Sequence, residues 1–271
     1  MKKRPQILLS NDDGILSPGL WAAARELAKL GFVTVAAPRE QHSGAGRSVP
    51  SWNDGEIKPT ILTIGEQEWT CYAVGGSPAQ AVQYGIFAIL KEKPDLVVSG
   101  INYGENPATD ITLSGTVGAA LEAASHGIPA LAVSLELHNE DYLGYSNETD
   151  FSTAAIFTRR FARVMLEKDL PPDVNVLNVN VPAHATPETP WRMTRLGKHG
   201  YFVPFLKDPA TTNGVPRIDA KVGPHPDDMN DPNTDIHVFH REKLVSVTPL
   251  SLDLTSRVDL VELQRSFGTL D

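Results

Sequence analysis

The sequence contains one cysteine, Cys71, in 271 residues, so no disulfide can form within the chain and a reducing compartment suits it. Cys71 lies in Glu68-Trp69-Thr70-Cys71-Tyr72-Ala73-Val74, an apolar-alternating run with no flanking histidine. That context predicts a buried strand residue rather than a nucleophile. Basic blocks are also missing, and 33 acidic residues outnumber 24 basic ones to give a formal net charge of −9. A protein that tracks a nucleic-acid polymer draws its affinity from clustered Lys and Arg, so the composition argues against that partner. A small anion is still compatible, because a bound cation and backbone amides reverse the field locally. Long hydrophobic runs are absent too. The apolar stretch after the basic Met1-Lys2-Lys3-Arg4 is only Ile7-Leu8-Leu9, too short for a secretory signal, and no window reaches transmembrane length. A cytoplasmic protein with no membrane partner is expected. No internal repeat, heptad or low-complexity tract is visible.

What is present is enough apolar material, 41% of residues, to fill the core of one large α/β domain. Short β-rich runs alternate with helical patterns. Ile7 to Leu9 reads as a strand, Leu20 to Leu30 as a helix ending at Gly31, and Phe32 to Ala37 as a strand stopped by Pro38. Gly55 to Val74 reads as an inserted hairpin. Ala79 to Lys91 is helical, Leu96 to Val98 extended, Val117 to Ser125 helical and Ala130 to Ser134 extended. Phe151 to Leu166 is an amphipathic helix, and Asn175 to Val181 a strand. This alternation specifies a mostly parallel sheet with helices on both faces. From Pro182 to Pro232 prolines and polar residues cluster, which reads as an extended arm or β-hairpin excursion suited to oligomer contacts. Leu244 to Thr248 then returns as a strand, and Val258 to Phe267 as a closing helix.

In such sheets ligands bind beyond the carboxyl ends of the strands, and three of those ends carry chemistry. The first is Ser10-Asn11-Asp12-Asp13-Gly14, two adjacent carboxylates directly after a buried strand. Like charges beside a low-dielectric core stay ionised only with something cationic bound, and hard oxygen ligands select Mg²⁺, Mn²⁺ or Ca²⁺ over zinc. A solvated turn or a helix N-cap near Pro18 would use the same residue types. The second end is Pro38 to Gly46, which could bring Ser43 beside the pair. The third is Gly100-Ile101-Asn102-Tyr103-Gly104-Glu105-Asn106, offering the Asn102 carbonyl and leading into Ser114-Gly115-Thr116 at a helix start. Two hydroxyls and a glycine at a helix N-terminus suit a phosphate, although Ser114 alone could be an ordinary N-cap.

These stretches, with Val245-Ser246-Val247-Thr248-Pro249-Leu250, Asp253, Thr255 and Thr234-Asp235, closely resemble the stationary-phase survival protein SurE family, in order over nearly the whole chain. The resemblance implies a single Rossmann-like α/β domain over residues 1–271, with 182–232 as an oligomerisation arm exchanged in a homodimer or homotetramer. It implies a divalent-metal-dependent 5′-nucleotidase, acting also on 3′-nucleotides and short polyphosphate. One cation, Mg²⁺ or Mn²⁺ (Ca²⁺ in a crystal), would be held by Asp12, Asp13, Ser43 and Asn102. Asn106, Ser114, Gly115 and Thr116 would hold the phosphate of a nucleoside monophosphate, and Asp12 or Asp13 would assist deprotonation of the attacking water. A general phosphomonoesterase and a nucleotide-binding regulator without turnover are the competing readings. The sequence departs from the family at Ser77 and Gln80, where Thr and Asp are common, and at Ser251, where some members carry His. Finally, Pro224-His225-Pro226-Asp227-Asp228 resembles a zinc-deacetylase signature but follows no buried parallel strand, so it reads as a solvated loop; His199 and His225 are otherwise expected to be substrate-loop residues.

Overall fold

The computed structural model describes residues 4–137, 149–208, 212 and 214–268. In chain order its elements are β1 (Gln6–Ser10), α1 (Pro18–Leu27), β2 (Phe32–Pro38), β3 (Ile57–Ile64), β4 (Gln67–Val74), α2 (Pro78–Tyr84), β5 (Leu96–Tyr103), α3 (Gly115–Ser125), β6 (Ala130–Leu135), α4 (Ser152–Glu167), β7 (Val176–Val181), β8 (Trp191–Met193), β9 (Phe202–Leu206), β10 (Ile218–Val222), α5 (Pro226–Asn230), β11 (Val245–Leu250) and α6 (Leu260–Phe267). Nine strands form one sheet in the order β3-β4-β2-β1-β5-β6-β7-β11-β8, and β9 and β10 pair separately. The central strands run parallel; only β3 on β4 and β11 on β7 are antiparallel within the main sheet.

The period of two in each strand divides its apolar side chains between two cores. Ile7 and Leu9 of β1, Val35 and Ala37 of β2, and Leu96 and Val98 of β5 face a core shared with α1 and α4. Leu8, Ala36 and Val97 face the opposite core, under α2 and α3. Burial on both faces is why these strands read as unbroken apolar runs, each fully buried aliphatic side chain contributing about 1.5–3 kcal/mol. The sheet with helices on both sides is therefore as the sequence predicts. The departures at Ser77 and Gln80 are accommodated at the start of α2: the Ser77 hydroxyl accepts from the Gln80 amide at 3.2 Å, and Gln80 Oε1 accepts from the Ser77 amide at 3.0 Å. This reciprocal cap satisfies two helix-end donors.

The run Gly55 to Val74 forms the hairpin that the sequence predicts, and it extends the main sheet because β4 pairs in parallel with β2. Two expectations change. The excursion is not continuous: β8 joins the main sheet beside β11, leaving β9–β10 as the projecting hairpin. Nor does the last helix close the domain. No residue of α6 is buried, and Leu260, Val261, Leu263 and Phe267 are all exposed. Its amphipathic pattern fixes which face wants cover, not which surface supplies it. Cys71 is buried in β4 as expected, and burial pushes its thiol up to about 11, which leaves it protonated at neutral pH. Among the described residues no helix is long and apolar enough to cross a membrane.

Candidate active site

The chain winds from β1 through α1 to β2 on one side and later to β5 on the other. The crevice at such a reversal lies over the carboxyl end of β1, and Asp12 and Asp13 occupy it. Their turn is closed by Asn11, whose Nδ2 donates to the Gly14 carbonyl at 3.0 Å while its Oδ1 accepts from the Gly14 amide at 3.2 Å. Gly14 has φ +95°, and a Cβ there would meet the Glu40 backbone at 3.2 Å. The sharp turn thus depends on a residue that adopts left-handed backbone without strain.

Three turns converge on this pair. Asp12 Oδ1 accepts the Thr116 hydroxyl, and the amides of Gly115 and Thr116 at the start of α3 also donate to its carboxylate. Gly115 packs so closely that a Cβ would lie 2.7 Å from Asp12 Cβ and 2.8 Å from Oδ2. Asp13 Oδ2 accepts from the Tyr103 amide at 3.1 Å, and the Gln41 side chain bonds the same carboxylate. Next to Tyr103, Asn102 donates its Nδ2 to the Tyr103 and Gly104 carbonyls at 3.1 and 2.7 Å, leaving Oδ1 as the side chain's acceptor. The loop after β2 is tied in by the His42 amide, which donates to the Asp12 carbonyl at 2.7 Å, and by the Gly46 amide, which donates to Leu113 at 2.9 Å. Ser43, beside His42, is exposed, and its Oγ accepts from Gln41 at 2.9 Å.

Of the residues singled out from sequence, Asp12, Asp13, Gly115 and Thr116 are in direct contact or one residue removed. Ser43 and Asn102 each neighbour a backbone bond to the pair. Ser114 caps α3, its Oγ accepting from the Val117 amide at 3.1 Å, as the simpler reading required. Asn106 is held by the ends of β6 and β7: its Nδ2 donates to Ser134 Oγ at 2.8 Å, its amide to Asn180 Oδ1 at 2.7 Å, and its carbonyl accepts from Asn178 and Asn180 at 2.8 and 3.2 Å. Ser251 lies at the opposite end of the strands from the crevice, because β11 runs antiparallel to β7; it bonds Asp173, just before β7, at 2.7 Å.

Both carboxylates are only 4% exposed. Burial pushes Asp12 up to about 6 despite donors from Thr116 and Gly115. Burial, and then the charge on Asp12, raise Asp13 well above the usual carboxylate range. The protein's own donors therefore do not offset the cost of two adjacent buried charges, and an all-oxygen donor set in that condition fits a hard divalent cation. A cation bound to the ionised pair would have to displace a proton. Mn²⁺ affinity, measured by calorimetry, is expected to fall steadily as the pH is lowered from neutral and the pair takes up protons, because burial raises both carboxyls and the Asp12 charge raises Asp13 further.

Sequence reasoning assigned no bracing role to the residues that support this site from behind, although Asp235 stood among the stretches that carry the family resemblance. Asn178 and Asn180, fully buried in β7, carry the Asn106 backbone; polar residues alternating with valine in an otherwise apolar central strand were the available signal. Asp235, also fully buried, accepts from the amides of Ala108, Gly197 and Ile236 at 2.7, 2.8 and 2.9 Å. It staples the loop after Asn106 to the segment returning from the excursion. Asp235→Ala would orphan three buried amides and is expected to cost roughly 3 kcal/mol in urea unfolding. Burial raises the Asp235 carboxyl from 3.8 to about 6. The folded state therefore favours the neutral form, and this contribution is complete below pH 3.8 and lost as pH rises through about 6. Wild-type stability relative to Asp235→Asn should fall across that window.

Residues 7–202 match the family described as Survival protein SurE. The chain is 40% identical to a 5′-nucleotidase SurE of Methanosarcina mazei, covering 96% of this chain and 97% of the relative. It is 43% identical to a 5′-nucleotidase SurE of Thermococcus gammatolerans over 96% and 94%. A crystal structure of the SurE protein from Aquifex aeolicus, 35% identical, superposes with a TM-score of 0.72 over 97% of this chain and 98% of that one.

Proposed function

The chain belongs to the survival protein SurE family, and we infer on that premise that it is a divalent-metal-dependent 5′-nucleotidase, cleaving nucleoside 5′-monophosphates to nucleoside and phosphate. The observation that carries this reading is the pair of adjacent, buried carboxylates at the sheet reversal, with the start of α3 turned onto one of them. In this reading Asp12, Asp13, Ser43 and Asn102 would hold the cation, and Asn106 and Ser114 the phosphate, joined by Gly115 and Thr116, whose donors face Asp12 in this structure and would turn to the phosphate when that carboxylate takes the cation. When bound, the cation supplies positive charge to the phosphoryl oxygens and lowers the pKa of a water. The chain's own residues do the rest. Capping uses a lone pair of Ser114 Oγ, so its proton is left to donate to a phosphoryl oxygen. Asn106 is preset by Ser134, Asn178 and Asn180 and needs no reorganisation as charge develops. The α3 N-terminus adds the positive end of its dipole, and a carboxylate oxygen of Asp12 or Asp13 accepts the proton of the attacking water.

The finer terms of the proposal are activity on 3′-nucleotides and short polyphosphate, Mg²⁺ or Mn²⁺ as the cation, and the cytoplasm as the compartment. The hard oxygen donors support the choice of ion. A homodimer or homotetramer built through the 182–232 arm within a single 1–271 domain is supported by the apolar residues that β9–β10 and α6 leave exposed, among them Phe205, Leu206, Ile218 and Phe267. Truncation after Val258 should lower the mass measured by light scattering; an unchanged mass removes α6 from the interface. The activity is tested by phosphate release from AMP, 3′-AMP, tripolyphosphate and p-nitrophenyl phosphate with Mn²⁺ or EDTA. Mn²⁺-dependent release from AMP supports the nucleotidase. Release only from the simple ester would indicate a general phosphomonoesterase, and none at all a nucleotide-binding regulator.

A further inference from the structure

His199 and His225 lie in separate stretches of sequence, yet the fold stacks their rings with centroids 3.7 Å apart and an interplanar angle of 19°. Potential ligand atoms of His199, His225 and Asp227 all fall within 4.8 Å of one another. His199 is also braced. Its Nδ1 bonds Asp228 Oδ2 at 3.1 Å, and that carboxylate, 5% exposed, is itself fixed by the amides of Lys198 and His199 at 3.0 Å each. A buried carboxylate holding one imidazole nitrogen sets the tautomer and directs the other nitrogen, with its lone pair, outward; this is how proteins orient histidine ligands. His225 caps α5 and its ring is accessible.

We propose that His199, His225 and Asp227 form a second metal site, distinct in chemistry from the carboxylate pair and selective for a borderline transition ion such as Zn²⁺. Two imidazoles and one carboxylate suit Zn²⁺, Ni²⁺ or Cu²⁺, whereas Mg²⁺ prefers oxygen ligands and keeps its waters. Binding requires the accessible His225 ring to turn out of the stack, so that its lone pair and the outward nitrogen of the braced His199 converge on one ion. The site sits at the root of the projecting hairpin: His199 precedes β9 and His225 follows β10. An ion there joins the two ends of the excursion, as a cross-link closing a long loop does. Just beyond His199, the amides of Tyr201 and Phe202 donate to Asp110 Oδ2 at 2.8 Å. The clip therefore holds a segment that is itself pinned to the loop leading into Ser114.

The test uses the full-length chain carrying Asp13→Asn, which weakens the first site, with and without His225→Asn, in saturating Mg²⁺. Asn keeps a helix-capping side chain but loses the imidazole. Zn²⁺ calorimetry should count one equivalent in the parent and none in the His225→Asn chain. Zn²⁺ at about 100 times its Kd should raise Tm by roughly 5 °C only in the parent. An equivalent that survives His225→Asn, or no equivalent in the parent, overturns the proposal. Neither readout depends on turnover, so failure of the nucleotidase reading would leave this result interpretable.

Discussion

Replacing Asp13 with Asn is expected to cut Mn²⁺-supported phosphate release from AMP by about 1,000-fold or more, the size of losing several kcal/mol of charge stabilisation. The fold should survive. In the metal-free protein Asp13 is disfavoured as an anion by burial and by the Asp12 charge, so removing its charge relieves a conflict instead of breaking a bond network. Thermal unfolding in EDTA should give a Tm no lower than wild type, while the Tm increment from added Mn²⁺ disappears. That combination separates a lost ligand from a lost fold. An Asp13→Asn chain that still turns over at near wild-type rate would remove Asp13 from the ligand set.

Gly115→Ala is expected to lower kcat by about 100-fold, through displacement and without loss of any functional group. The added carbon would lie 2.7 Å from Asp12 Cβ and 3.2 Å from Cγ, both on a short side chain whose backbone is tied to His42. Neither partner can yield by rotating a flexible end. Either the start of α3 or the Asp12 carboxylate must shift by about an ångström, and a misplacement of that size costs a catalytic constellation about two orders of magnitude. Ala is a better helix former than Gly, so a purely helical role for residue 115 predicts an equal or higher Tm with unchanged kcat. Measuring both quantities distinguishes the two, and unaltered kcat would refute the close-approach account.

Much of the site was legible because it depends on short-range facts. Asp12 and Asp13 adjoin a buried strand, Gly14 follows them, and Ser114-Gly115-Thr116 starts a helix; each is visible within a few residues. The braces were not. Asp235 bonds the amides of Ala108 and Gly197, partners far away in the chain, and nothing local distinguishes it from a solvated loop aspartate. Asn178 and Asn180 looked like strand filler until Asn106 arrived between them. The same blindness covers His199 and His225, which the sequence offered as two unrelated loop residues and the fold stacks together. It covers α6 as well, whose apolar face was plain while its lack of cover within the chain was not.

The sequence by itself determined the layered architecture, since periodicity and turn residues act locally, and it determined that oxygen-bearing side chains follow the carboxyl ends of three strands. Only the tertiary structure decided which amides and carbonyls those side chains meet, that the Thr116 hydroxyl and the α3 amides turn onto Asp12, and that Ser251 lies at the opposite, amino-terminal end of the parallel strands. Contacts between residues distant in sequence depend on strand order and direction, and neighbouring residues do not encode either.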